Sequence, residues 1–270
     1  MPIDHVKLLL NDRLRLNQNL ERLRQQSTRH LSSLADTQKQ LLTDYTGVCS
    51  LDVNNYLRNK QFDPNMRTAD IQSVRRKVFG LQQILANAPP TTHGVVMYRV
   101  FENQEVGRLS DIFKPHRSPK WLSQGFLSTS ANLNAAFNFL DDQGCCLGII
   151  YLPPGTRGLY LGQLSDFDYE EEFLMPHGTS LTVRSIQMQA TPPVQYTGLG
   201  GKKGTYNGMV INFAVNVQST RLLPSRRTDE AKRAAEARKQ KATPKRPAVD
   251  IKQKIQKRKK PMDVIVIDSD

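Results

Sequence analysis

Three short stretches, far apart in the chain, carry side chains that could form one catalytic site. They are Tyr98-Arg99, Ser128-Thr129-Ser130 and Glu170-Glu171-Glu172. An arginine can bind a diphosphate, a carboxylate can stabilise a ribosyl cation, and hydroxyl groups can orient both. These are the groups needed to break the bond between ribose and nicotinamide in NAD. The combination therefore predicts an enzyme, provided that the fold brings the three stretches together.

Each stretch taken alone also has a simpler explanation. Arg99 lies in an apolar strand pattern, where an arginine is costly unless it meets an anion, but an edge-strand arginine could reach solvent. The hydroxyls of 128–130 precede a helical pattern and could simply cap it. Strand alternation would place Glu170 and Glu172 on one face, where like charges repel unless a site uses them. A solvated acidic turn is the alternative for these carboxylates.

The elements that must position these residues are helices first and strands afterwards. Apolar residues recur at helical spacing from Val6 to about Leu42, over 51–60 and over 70–87, where Ala88-Pro89-Pro90 ends the last helix. Strand patterns follow over 94–101, 125–129, 145–152, 157–161, 171–175, 180–189 and 208–217, with a helical pattern at 132–140. Helices segregated before strands predict an α+β fold.

The order of these motifs resembles a known family. Apolar-Tyr98-Arg99, then Gly-Phe-Leu-Ser-Thr-Ser at 125–130, then Glu-x-Glu-apolar-Leu-apolar-Pro at 170–176 are similar to the Arg–Ser–Glu class of mono-ADP-ribosyltransferases. This bacterial exoenzyme family includes actin-modifying binary toxins and Rho-modifying exoenzymes. The resemblance covers roughly 40–217, and 45–47 with 53–58 resembles the family's helix that lines the NAD cleft. It implies N-terminal helices followed by two packed, mainly antiparallel β-sheets around that cleft.

The resemblance also assigns catalytic roles. Glu172 would be the catalytic carboxylate that stabilises the oxocarbenium-like transition state, and Ser128 would hold it in place. Thr129 would support the ribose. Glu170 would activate the acceptor, and a glutamate at this position in the family implies an arginine acceptor. Hydrolysis of NAD to free ADP-ribose would be the side reaction.

Further residues would bind NAD or the target protein. Arg58 and Arg99 would grip the diphosphate. The weaker NAD contacts would be Tyr45, Asn54 and Gln104. Phe137 and Phe139 would wall the nicotinamide pocket, although an apolar helix face is also typical of a core. Phe167, in the loop 164–169, would be the exposed aromatic that meets the target protein, and its alternative is a place in the core.

Other kinds of site find little support in the sequence. The five histidines show no His-Glu-x-x-His or other paired-ligand spacing, and no metal site is predicted. Cys49, Cys145 and Cys146 give no zinc spacing and a poor disulfide framework, which favours a reducing compartment. The glycine-rich segment 198–204 lacks the Walker spacing and is predicted to be a hairpin loop.

The charge distribution separates a folded part from a tail. Residues 221–260 contain 16 Lys and Arg against 4 Asp and Glu, whereas residues 1–220 contain 22 against 18. A basic segment with few aromatics buries little and is expected to be disordered. We therefore predict an N-terminal helical segment (1–43), a catalytic domain (44–218) and a basic tail (219–270).

The tail carries two patterns typical of eukaryotic nuclear proteins. Lys245-Arg246 and 257–260, separated by ten residues, fit a bipartite nuclear-import signal read by import receptors. A nonspecific nucleic-acid or membrane patch is the alternative. Residues 264–267, Val-Ile-Val-Ile before Asp-Ser-Asp, resemble a SUMO-interacting motif that would add a strand to the modifier's sheet. Pairing with the protein's own sheet is the other interpretation.

These patterns lead to an expected location and function. No signal-peptide pattern is present at 1–7, and no apolar run is long enough to span a bilayer. We expect an intracellular protein in a host-cell nucleus and hypothesise a DNA virus of a eukaryote as its source. The expected activity is transfer of ADP-ribose to a host nuclear protein. The alternatives are an inactive module that docks nuclear partners and a transferase that modifies nucleic acid.

Overall fold

The first third of the chain is helical, as the apolar spacing predicts. We describe a computed structural model that covers residues 13–59, 68–101, 120–140, 146–165 and 167–221. The early helices are α1 (Arg13–Ser33), α2 (Asp36–Asp44), α3 (Ser50–Asn59) and α4 (Thr68–Asn87), and a π-helical turn, Tyr45–Cys49, joins α2 to α3. α4 ends one residue before Ala88-Pro89-Pro90, where proline cannot continue the helix.

The helices α2, α3 and α4 share a core with one side of the sheet. This core contains Leu42 of α2, Val53 of α3 and Leu81 of α4 together with Leu174 from the sheet, all of them fully buried. Burial of each such side chain contributes about 1.5–3 kcal/mol. Gly80 allows the close approach of α4 to α2, because a Cβ there would lie 2.6 Å from a methyl carbon of Leu41.

The remaining elements form a mainly antiparallel sheet. The strands are β1 (Val95–Phe101), β2 (Lys120–Leu122), β3 (Leu127–Ser130), β4 (Cys146–Leu152), β5 (Leu159–Tyr160), β6 (Glu172–Met175), β7 (Ser180–Gln187), β8 (Val194–Thr197), β9 (Lys203–Tyr206) and β10 (Val210–Val215). A short helix, α5 (Leu133–Ala136), follows β3. The α+β class predicted from the sequence is confirmed.

The sheet is continuous where two packed sheets were expected. Eight strands are ordered β2-β7-β10-β4-β1-β3-β6-β5, and β8 with β9 forms a separate hairpin around the predicted glycine-rich loop. The pair β4–β10 is parallel, and the other neighbouring strands run antiparallel. The strands β1 and β3 pair at one position, where Tyr98 lies opposite Ser130. The part of the sheet from β2 to β1 therefore meets the part from β3 to β5 over a narrow contact.

The helix α1 packs on the strands β1 and β5. Leu23 is buried in the core beneath the sheet. Asn19 donates from Nδ2 to the Gly94 carbonyl over 2.9 Å, and Ser27 Oγ accepts from the Tyr160 amide at 3.0 Å. The described part of the predicted segment 1–43 therefore braces the sheet, and the described residues lie within one compact unit.

Several predictions fall outside the described residues. These are Gln104, Cys145, the import-like segment 245–260 and the SUMO-interacting-like segment 264–267. Among the helices that the structure describes, none is long and apolar enough to cross a membrane.

Candidate active site

A cleft of about 370 Å³ lies between α3 with its preceding π-helical turn and the strands β1, β3 and β6. Its volume is within the range of small-molecule sites in proteins. All three predicted stretches contribute to its lining. The predicted site residues that line it are Tyr45, Asn54, Arg58, Arg99, Ser128, Thr129, Phe139, Phe167, Glu170 and Glu172.

Glu172 is the most deeply buried carboxylate among the predicted site residues. It is the first residue of β6 and is 6% exposed, and the Ser128 hydroxyl donates a hydrogen bond to its carboxylate. Burial, reinforced by the charge of Glu170, raises its pKa to about 7, whereas the Ser128 hydrogen bond and Arg99 oppose this rise. Ser128 and Glu172 therefore interact with each other in the lining of the cleft.

Glu170 faces the same cleft, but not because of strand alternation. It lies in a 3₁₀ turn, Asp168–Glu170, and β6 begins two residues later. Glu171, between the two carboxylates, adopts the left-handed conformation with φ 48° and ψ 48°. The sequence argument that placed both glutamates on one strand face was therefore wrong in its reason, although both line the cleft. Burial raises the pKa of Glu170 as well.

Arg99 lies inside the sheet, which excludes an edge position that reaches solvent. Its strand, β1, lies between β4 and β3. Its Nη1 donates to the Ser128 carbonyl over 2.8 Å, and its guanidinium carbon is 5.4 Å from the centroid of the Phe101 ring. Arg58, in the last turn of α3, lines the same cleft. Two arginines in the lining of one cavity suit a diphosphate, since a guanidinium can bind phosphate oxygens in a bidentate way.

Tyr45 and Asn54 tie the helical wall to the sheet. Asn54 donates from Nδ2 to the Tyr45 hydroxyl over 3.0 Å, and its Oδ1 accepts from the Phe126 amide at 3.0 Å. A Cβ on Gly125 would come within 2.6 Å of this Oδ1, so glycine allows the close approach. Burial raises the pKa of Tyr45, which stays neutral. Both residues border the cleft, and their mutual hydrogen bond shapes its wall.

Thr129 borders the cleft, but its hydroxyl is bonded within the sheet. It is 3% exposed, and its Oγ1 donates to the Phe173 carbonyl over 2.9 Å. Because side chains alternate along a strand, Ser128 and Ser130 lie on the face opposite to Thr129. This hydroxyl fixes β3 to β6, and the support of the ribose side by Thr129 stays a prediction.

The aromatic residues divide between core and cleft. Phe137 is a core residue, buried against Tyr196 with ring centroids 4.3 Å apart, so its predicted place in the nicotinamide pocket is corrected. Phe139 lines the cleft and is 57% exposed. Phe167 also lines the cleft and is exposed beside Tyr169, which excludes its alternative place in the core.

Ser130 is a site residue whose contact the sequence did not reveal. Its Oγ lies 2.6 Å from the Glu170 carbonyl, to which it donates, and it accepts from the Asn132 amide at 2.9 Å. Asn132 in turn caps α5 by accepting from the Asn134 amide. The Ser-x-Asn spacing indicates a capped turn, but the contact with Glu170 spans 40 residues and leaves no local signal.

A first prediction concerns the protonation of Glu172. Replacing Ser128 with alanine removes a hydrogen bond that lowers the pKa of Glu172, so we expect this pKa to rise further. In the folded protein Glu172 keeps its proton up to about pH 7, whereas in the unfolded chain it loses the proton near its ordinary pKa of 4.5. The free energy of unfolding therefore falls as the pH rises from 4.5 to about 7. In the variant this fall should extend to higher pH.

Carboxyl ¹³C NMR titration of the wild type and of Ser128→Ala measures this pKa directly, and denaturant melts at several pH values measure stability. Ser185→Ala is a matched control, since Ser185 lies on β7 and accepts from Asn212. An unchanged or lower pKa of Glu172 in Ser128→Ala would contradict the assigned hydrogen bond.

Comparisons with known proteins find a matching family model and several similar proteins. The family model described as ADP-ribosyltransferase exoenzyme matches residues 20–203, which is more than half of the chain. A curated relative is the NAD(+)–arginine ADP-ribosyltransferase EFV of Enterococcus faecalis, 24% identical over 171 residues. That alignment covers 61% of this chain and 32% of the relative, so the chain spans about a third of the relative's length.

Solved structures of bacterial toxins share the fold. Plx2a, an ADP-ribosyltransferase toxin from Paenibacillus larvae, superposes with a TM-score of 0.56 at 18% identity, covering 74% of this chain and 96% of that protein. C3stau2 from S. aureus, solved with NAD, gives a TM-score of 0.53 at 18% identity, covering 73% and 94%. BECa from C. perfringens, solved with NADH, gives 0.55 at 17% identity, covering 74% and 48%.

Proposed function

The chain belongs to the ADP-ribosyltransferase exoenzyme family, and from this premise we propose that it transfers ADP-ribose from NAD to an arginine side chain of a protein. One observation carries the proposal. A buried glutamate, Glu172, is held by the Ser128 hydroxyl in a cleft that also contains Glu170 and two arginines. The described residues contain no group of three potential metal ligands. The proposed reaction does not require a metal ion.

The first chemical step breaks the bond between ribose and nicotinamide. Nicotinamide leaves as a neutral molecule with the bonding electron pair, and the positive charge passes to the ribosyl carbon. The ionised carboxylate of Glu172 stabilises this charge, and burial strengthens the interaction because it excludes water. Arg99 and Arg58 bind the diphosphate and so fix the position of the ribose.

The second step joins the ribose to the acceptor. A guanidinium nitrogen of the acceptor attacks the ribosyl carbon, and the proton it loses passes to Glu170. Burial raises the pKa of Glu170, which makes its carboxylate a better base than an exposed one. The two carboxylates thus have separate tasks: Glu172 stabilises the cation and Glu170 activates the nucleophile.

Two observations support arginine as the acceptor. A carboxylate at Glu170 can orient and deprotonate a guanidinium, to which it is complementary in charge and shape. The E. faecalis relative carries arginine specificity in its name. Water reaching the same cation would give free ADP-ribose, the expected side reaction.

Incubation with NAD labelled in its adenine tests the proposal. The purified protein is mixed with labelled NAD and either nuclear extract or agmatine, a small guanidinium compound. We expect label on agmatine and on proteins, with mass spectrometry locating ADP-ribose on arginine. Label that resists protease but not nuclease would instead identify a nucleic-acid acceptor. Absence of any labelled product would leave the inactive binding module as the better interpretation.

We further propose that the protein acts in the nucleus of a eukaryotic cell. The support is the pair of basic clusters within 245–260, whose spacing suits a bipartite import signal. Changing the Lys and Arg of 245–260 to Gln in a fluorescent fusion should move the protein from the nucleus to the cytoplasm. The same change at the basic residues of 226–241 is the matched control and should leave the location unaltered. Equal nuclear signal from both variants would refute the assignment.

A further inference from the structure

The backbone between the two carboxylates is in an unfavourable conformation. Glu171 is the non-glycine residue with positive φ in the described part of the chain. The left-handed region costs a residue with a Cβ about 1–2 kcal/mol. This conformation turns the chain between the 3₁₀ turn of Glu170 and the strand of Glu172. Surrounding contacts must therefore maintain it.

The side chain of Glu171 is held by the N-terminal helix. Arg24 of α1 places Nη2 at 2.8 Å from Glu171 Oε2, across 147 residues of sequence. The guanidinium of Arg24 also lies over the Tyr160 ring, 5.4 Å from its centroid, and pairs with Glu21 at 3.5 Å. The Arg24 side chain is thus fixed from three directions, and α1 itself is anchored on β1 and β5.

The main chain around Glu171 is held by different contacts. The Glu171 carbonyl accepts from the Ala131 amide at 3.0 Å, and the Glu170 carbonyl accepts from the Ser130 hydroxyl. These bonds connect the turn to the segment at the end of β3. Glu172, in contrast, belongs to the β3–β6 ladder and has Ser130 opposite it in register. Loss of the Arg24 contact should consequently disturb Glu170 more than Glu172.

We propose that Arg24 is a positioning residue whose ion pair with Glu171 maintains the turn that presents Glu170 to the acceptor. This inference rests on the proposed transferase function. It assigns the N-terminal helix a role in acceptor activation that is separate from cleavage of NAD. A partly exposed ion pair contributes little to global stability, so a variant that lacks it should still fold.

The first test separates transfer from hydrolysis. In Arg24→Ala we expect transfer to agmatine to fall by about 10- to 100-fold, the range for a misplaced catalytic group, while hydrolysis of NAD changes little. Arg22→Ala is the matched control, because Arg22 is on the same helix, pairs with His93 and does not line the cleft. Equal loss of both activities in Arg24→Ala, or an equal effect of Arg22→Ala on transfer, would overturn the proposal.

The second test uses the conformational freedom of glycine. Glu171→Ala removes the ion pair and keeps the Cβ, so it should match Arg24→Ala. Glu171→Gly removes the ion pair but adopts positive φ without the steric cost, so it should retain much of the transfer activity. Arg24→Ala added to Glu171→Gly should then have no further effect. A glycine variant as impaired as the alanine variant would count against the turn as the cause.

A readout that needs no activity separates this inference from the proposed function. If the wild type neither hydrolyses nor transfers, the proposed function fails, and hydrogen exchange still tests the turn. The Glu170 and Glu171 amides donate to the carbonyls of Phe167 and Asp168 at 2.9 and 3.2 Å. Their exchange should be faster in Arg24→Ala than in the wild type or Arg22→Ala. Unchanged exchange would show that Arg24 does not hold the turn.

Discussion

Glu172→Gln is expected to lower both transfer of ADP-ribose and hydrolysis of NAD by about 100- to 1,000-fold, the typical cost of losing one preorganised electrostatic stabiliser of a transition state. The amide keeps the shape of the side chain and can still accept a hydrogen bond from Ser128. It lacks the negative charge that faces the ribosyl cation. Both activities share the step that forms this cation, so both should fall together.

The same substitution should not destabilise the fold. Burial raises the pKa of Glu172 to about 7, which shows that the ionised carboxylate is the unfavourable form in its site. Glutamine is neutral at every pH, so above neutral pH the free energy of unfolding should equal or exceed that of the wild type. Release of nicotinamide measures activity, and thermal melting at alkaline pH measures stability.

Asp52→Asn is the matched control for Glu172→Gln. Asp52 lies on α3 between cleft residues, is exposed and does not line the cleft. Its change removes the same charge from the helical wall and should leave both activities near the wild-type rate. Glu172→Gln activity within a few-fold of the wild type would refute the role of Glu172.

The helices and strands were predictable from the sequence where buried apolar residues recur at regular spacing. The leucine spacing of α1 and the proline stop after α4 are local signals, and the structure confirms both helices. Seven strand patterns correspond to β1, β3, β4, β5, β6, β7 and β10. The strand β2 was missed, because three residues with one buried side chain, Trp121, are too short for an alternation to be recognised.

The site was predictable from residue types and motif order, but its geometry was not. Strand alternation was applied to the glutamates, where the left-handed Glu171 breaks the strand. It was not applied to 128–130, where it separates Thr129 from the two serines that face Glu172. The left-handed turn at Glu171 depends on tertiary contacts that leave no local signal in the sequence. Arg24 lies 147 residues from Glu171, and Ser130 lies 40 residues from Glu170.

The aromatic pair shows a second limit of pattern reading. The helical interpretation of 132–140 treated Phe137 and Phe139 as members of one face. In the structure α5 ends at Ala136 and continues as a 3₁₀ turn, Phe137–Phe139. With three residues per turn, positions two apart lie about 240° apart around the axis. Phe137 therefore packs on the β8–β9 hairpin while Phe139 faces the cleft.

Glu170→Gln is expected to separate the two activities. Transfer to a guanidinium acceptor should fall by about 100- to 10,000-fold, the usual contribution of a general base, because an amide cannot take the proton that the nucleophile loses. Hydrolysis of NAD should persist, since Glu172, Ser128 and the arginines that form the ribosyl cation are unchanged. Parallel measurement of labelled agmatine and released nicotinamide tests the split.

The pH dependence of NAD hydrolysis in Glu170→Gln should shift in a defined direction. A mere distortion of the cleft would not produce this shift. The charge of Glu170 helps to raise the pKa of Glu172, so its removal should lower that pKa and extend hydrolysis to more acid pH than in the wild type. Asp168→Asn, a neutralisation in the same 3₁₀ turn but outside the cleft lining, should leave both the profile and transfer unchanged. If Glu170→Gln lowered hydrolysis as much as transfer, with no acid shift, Glu170 would be part of the machinery that cleaves NAD and the division of tasks between the two carboxylates would be wrong.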